Sequence, residues 1–94
     1  MPRYLVERSF TVSIEEMSPV GQNAKRIIKE RFPDISWEHS HVVVGKDGTV
    51  RSFCVYQAPD EVTLRAHAQV LGLHTVDVVH EIAGDASPGD YPEV

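Results

Sequence analysis

Two histidines stand two residues apart in ISWEHSHVVVGKDG (35–48), and the next strand-like segment carries the chain's one cysteine, Cys54. Neutral imidazole and thiolate are ligands for zinc, nickel and copper. Residues i and i+2 of a β-strand project to the same side, so His39 and His41 can grip one ion together. Any two strand histidines at this spacing satisfy that geometry, and no helical HxxxH or CxxC motif reinforces it. The plainer reading is a polar pair hydrogen-bonded to neighbouring strands or subunits. Cys54 reads in three ways: a third ligand, a nucleophile with His41 as its base, or a small buried hydrophobe.

Trp37 and Tyr56 bring large rings to the same two segments. His67 lies beside Leu64 and Leu71, at i−3 and i+4 of a helical stretch. Trp37, Tyr56 and His67 are the candidates for lining a ligand or cofactor pocket, with simple packing as their plainer role. His80 alternates with Val78 and Ile82 and is expected to line a sheet face. Glu7 is expected near the sheet centre, and His74 in a solvated loop. No GxGxxG, P-loop, GxSxG or HExxH occurs, so nothing commits the chain to a reaction.

The elements that must position these residues follow from periodicity and punctuation. RYLVERSF opens with a strand near 3–9. Ser13 and Glu16 have capping-box spacing, and Ser18-Pro19 offers a second helix start. Ala24, Ile27, Ile28 and Phe32 then share one helical face until Pro33. Strands are expected over 35–44, 49–57 and 75–82, and a second helix over 60–71, with Asp60 as its N-cap and Gly72 beyond its end. The order β-α-β-β-α-β, with right-handed crossovers, is an α+β ferredoxin-like plait: one four-stranded antiparallel sheet with both helices on one face. Residues 1–83 form that single domain. The Gly/Pro/Asp-rich 84–94 is expected to be a flexible acidic tail.

Asp47-Gly48 is a strong hairpin signal. As the centre of a two-residue turn it sets Lys46 opposite Thr49, so that 44 pairs with 51, 42 with 53 and 40 with 55. His41 then faces Cys54, and His39 faces Tyr56. Trp37, His39, His41, Cys54 and Tyr56 share a face in this register, while Ser40, Val42, Val44, Phe53 and Val55 face the helices. A slip of one residue reverses that assignment.

The sequence is 94 residues long and 41% hydrophobic, with nine Lys and Arg against fourteen Asp and Glu. The net charge of −5 argues against a phosphate-binding surface. The basic run KRIIKER (25–31) reads as the solvated side of an amphipathic helix, so nucleic acid is not an expected partner. No apolar run approaches the roughly 18–20 residues of a membrane helix, and the N-terminus lacks a secretory layout. A single cysteine suits a reducing compartment, so the expected location is the cytoplasm. A plait leaves one sheet face bare, and the expected cover is a second copy, giving a homodimer.

YLVER, SWEHSHV, FCVYQAPD, LRAHAQVLGL and VHEI together resemble the small bacterial domain-of-unknown-function family numbered 4242. The most specific elements are the C-V-Y-x-A-P segment at 54–59 and the H-A-x-x-x-G segment at 67–72. The resemblance implies a ferredoxin-like plait that dimerises through its sheet. Some members are described as nickel-binding, an association that goes with extra histidines on the first strand and helix. Here those positions read Arg8-Ser9 and SIEEMSPVGQNAK. His39, Cys54, Tyr56 and His67 match the family pattern. The expected function is a small dimeric binding protein that takes nickel, another divalent transition metal or a small ligand on its sheet face. The alternatives are a cofactor-free plait enzyme, with a hydrophobic-substrate cleft walled by Trp37, Tyr56 and Phe53 or Val55, and a purely structural or regulatory dimer.

Overall fold

A computed structural model describes residues 1–94. Strand β1 (Arg3–Phe10) alternates strictly, turning Tyr4, Val6, Arg8 and Phe10 inward. The Ser13 hydroxyl donates to the Glu16 carboxylate at 2.9 Å and closes a 3₁₀ turn, Ile14–Glu16. That turn runs directly into α1 (Met17–Arg31). Pro19 lies in the first turn of α1, where backbone N–H groups have no intrahelical partner to lose. The two candidate starts are thus one continuous entry. Strands β2 (Ser36–Val44) and β3 (Val50–Gln57) form a hairpin. Helix α2 (Glu61–Leu71) is capped by Asp60, whose carboxylate accepts from the Thr63 N–H and hydroxyl, both at 2.7 Å. Those bonds hold the Asp60 pKa below the ordinary carboxylate range. Gly72 reverses the chain at φ +69° into β4 (His74–Glu81). Beyond β4, one 3₁₀ turn spans Pro88–Asp90, and Asp85 pairs with Arg3 at 2.8 Å.

The strands lie in the order β2-β3-β1-β4, every pair antiparallel. Together with the two helices this is the expected α+β plait. Two clusters hold the helices to the sheet. One gathers Tyr4, Val6, Ile35, Cys54, Tyr56, Ala58 and Leu64; the other gathers Phe10, Val20, Ala24, Ile27, Val50 and Leu71. Burying one large apolar side chain contributes about 1.5–3 kcal/mol, against about 0–1 kcal/mol for an exposed ion pair such as Arg26–Glu30. The packing under the helices therefore decides stability.

The hairpin departs from the expected register by one residue. Gly48 N–H donates to Gly45 O and Gly45 N–H to Thr49 O, both at 2.9 Å, with Gly48 at φ +82°. The loop is therefore three residues, Lys46-Asp47-Gly48, with glycine in the left-handed bulge position. Val44 pairs with Val50, Val42 with Ser52, His41 with Phe53 and Ser40 with Cys54. The faces of β3 are consequently the reverse of those expected. Gly48→Ala is expected to cost about 1–2 kcal/mol, because an L side chain is strained in that conformation. Gly48→Asn is expected to cost less, and chemical denaturation of both variants checks the difference.

A second irregularity lies between Trp37 and His39, where Glu38 is the extra residue of a β-bulge. Arg3 grips Glu38 with two bonds, Nε–H at 2.8 Å and an Nη at 3.0 Å. This bulge lets Trp37 and Ser40, three apart, point to the same side: the indole N–H donates to the Ser40 hydroxyl at 2.8 Å. No helix is long and apolar enough to cross a membrane.

Candidate functional site

The corrected register divides the candidate residues between two faces. No helix covers the open face. Across it, His39 pairs with Val55, which pairs with Leu5, which pairs with His80; one row along run His41, Phe53, Glu7 and Val78. His39 and His41 are exposed, their ring centroids 5.6 Å apart and nearly perpendicular. Around them Val43 and Val78 are exposed, Leu5 and Phe53 half-buried and Val55 buried. Val43 keeps 41% of its area exposed and Val78 keeps 38%, although this face belongs to a small domain short of core. At the far side of the face His80 Nε2 meets the Glu7 carboxylate at 2.7 Å. Sequence reasoning placed these two near the sheet without joining them.

Cys54, Trp37, Tyr56 and His67 lie under the helices instead. Cys54 is 3% exposed, and its thiol donates to the Ser52 hydroxyl at 3.3 Å. The sheet separates it from His41, so the expected pairing of Cys54 with His39 and His41 as ligands, or with His41 as a base, is not formed. Nor do Phe53 and Val55 wall a cleft with Trp37 and Tyr56, because they occupy the opposite face. The structure does join Trp37, Tyr56 and His67 into a run of rings, 6.4 Å and 6.3 Å between successive centroids. Burial pushes the Tyr56 hydroxyl pKa up.

His67 is fully buried, with Nε2 3.2 Å from the Ala24 carbonyl and Nδ1 without a partner. A carbonyl only accepts, so Nε2 carries a proton. Burial lowers the His67 pKa first, and the Arg8 charge adds to it. His74 is half-buried rather than solvated, stacked on Phe10 at 5.1 Å, and its pKa is lowered for the same leading reason. A histidine depressed in the fold binds protons more readily when unfolded. Its stabilising contribution is complete above the unfolded value of about 6.5 and is lost as pH falls towards the folded one. The urea midpoint is thus expected to fall between pH 7.5 and pH 5, above the range where the carboxylates titrate. His67→Gln is expected to flatten that fall; an equally steep fall in the variant would contradict the assignment.

Arg8 is the residue that sequence reasoning missed. It sits in the apolar phase of β1, between Val6 and Phe10, and is 2% exposed. Its guanidinium stands 5.3 Å from the Tyr56 ring centroid, and its Nε and one Nη have no hydrogen-bond partner. An uncompensated buried charge costs on the order of 3–5 kcal/mol, and a cation–π contact returns only about 0.5–2. The signal was present: an arginine in the inward half of an alternating strand. Beside it, between α1 and the β2–β3 hairpin, lies a cavity of about 100 Å³.

The profile of a protein family described as nickel-responsive protein SCO4226-like matches residues 4–82. The chain belongs to that family. This is the general kind of protein implied by the resemblance in the sequence, a small nickel-related family, although the number 4242 is not part of the match. Neither curated proteins nor solved structures give a significant match. For the SCO4226-like chain the donor set can be tested against nickel directly. No group of three or more His, Cys, Asp or Glu side chains within one chain is arranged to hold a metal ion. The two exposed imidazoles on the open face are of a type that suits nickel.

Proposed function

We propose that the protein binds a divalent transition metal, nickel first, through His39 and His41, in a site completed by a second copy packed on the open sheet face. The observation that carries this reading is the placement of two adjacent exposed imidazoles within an uncovered apolar surface. Four imidazoles from two chains related by a two-fold axis provide a nitrogen-rich shell that one chain lacks. The apolar residues around them provide the area that a self-complementary interface buries. Membership of a family described as nickel-responsive supports the choice of metal.

Calorimetric titration of nickel into tag-free protein tests the proposal. One metal per two chains is expected, with affinity weakening on acidification because imidazole ligates as the neutral base. Absence of binding would remove the reading. So would binding that His39→Ala/His41→Ala leaves unchanged.

A further inference from the structure

We propose that the cavity between α1 and the β2–β3 hairpin is a binding site for a small apolar carboxylic acid, its carboxylate seated on the Arg8 guanidinium. Arg8 lines this cavity, is almost wholly buried, and presents Nε and an Nη with no protein acceptor. Three other arginines, Arg3, Arg26 and Arg65, each pair with a carboxylate. The chain has fourteen acidic residues, yet none pairs with Arg8. Glu7, its neighbour on β1, points to the opposite face and bonds His80. The missing acceptor is therefore sought outside the chain, and a carboxylate matches the guanidinium's planar fork.

The rest of the cavity describes the remainder of the ligand. Met17, Val20, Trp37 and Val42 are among its predominantly hydrophobic walls. Two of the other polar groups are engaged: the Trp37 N–H donates to the Ser40 hydroxyl and the Cys54 thiol to the Ser52 hydroxyl. Arg8 is the only charged group in the lining, and two of its nitrogens are unpaired. About 100 Å³ accommodates an organic acid of on the order of half a dozen non-hydrogen atoms. Gly21 of α1 lines the cavity, and a side chain built there meets nothing within 4 Å. Leucine at that position fills the space while improving helix propensity.

Propionate, butyrate and isobutyrate, each beside its neutral amide, and inorganic phosphate are titrated by calorimetry and thermal shift. At least one carboxylate is expected to bind and raise the melting temperature, with its amide weaker by about tenfold or more. Gly21→Leu and Arg8→Met are expected to abolish that binding. Arg8→Met is also expected to melt higher than the unliganded parent, because an uncompensated buried charge is gone. If Arg8→Met fails to fold, Gly21→Leu decides. The proposal is overturned if no carboxylate binds, if amide or phosphate binds as well as the acid, or if Gly21→Leu binds as the parent does. This site lies across the sheet from the histidine pair. His39→Ala/His41→Ala is therefore expected to keep carboxylate binding, whatever its effect on nickel.

Discussion

Tyr56→Ala is expected to be the most damaging single substitution in the molecule, lowering stability by about 3–5 kcal/mol. Small domains are stable by about 5–15 kcal/mol in total, so much of the population would unfold on mild heating. Tyr56 is 1% exposed and sits near the end of the inner strand β3, paired with Tyr4 of β1 and Trp37 of β2. Its ring meets Trp37 on one side and His67 on the other, and it carries the Arg8 guanidinium on its face. Truncation removes all three contacts and enlarges a space that is already a cavity. It also leaves Arg8 without the one neighbour that offsets its charge. Tyr56→Phe keeps the ring and is expected to cost about 1 kcal/mol. Urea denaturation measures both. A loss below about 1 kcal/mol for alanine would show that the helices do not depend on this residue.

The second large effect concerns binding rather than folding. His39→Ala/His41→Ala is expected to weaken nickel affinity by more than about a hundredfold, since both ligands from each chain are removed. Stability in the absence of metal is expected to change by no more than about 0.5 kcal/mol, because both rings are exposed. Each single variant should fall between the parent and the double variant. Retained affinity in the double variant would move the metal elsewhere, with His80 and Glu7 the remaining candidates on that face.

The order of elements was legible because each has its own signal. The β1 alternation, the Asp60 cap and Gly72 all do in the structure what their types suggested. The pairing of β2 with β3 was not legible to one residue. Asp47-Gly48 fits both a two-residue turn and the three-residue loop seen here, and the choice depends on whether Asp47 takes positive φ along with Gly48, which it does not. Gly48 takes it as the bulge residue, and that single choice turns Cys54 and Tyr56 under the helices and Phe53 and Val55 away from them. The bulge at Glu38 then moves Trp37 to the helix side while His39 and His41 stay on the open face. The histidine pair was thus placed correctly, away from the helices, but among the wrong neighbours. Arg8 escaped notice because a charge in an alternating strand is ordinarily exposed, and only its packed surroundings show otherwise.

Whether nickel joins two chains through the open face is tested most directly by sedimentation equilibrium with and without the metal. Nickel is expected to tighten association by at least about tenfold, towards a species of two 10.5 kDa chains, because a ligand shared by two subunits favours the assembled state. The effect should vanish in His39→Ala/His41→Ala. Nickel that binds the parent while its mass stays that of one chain would contradict a shared site.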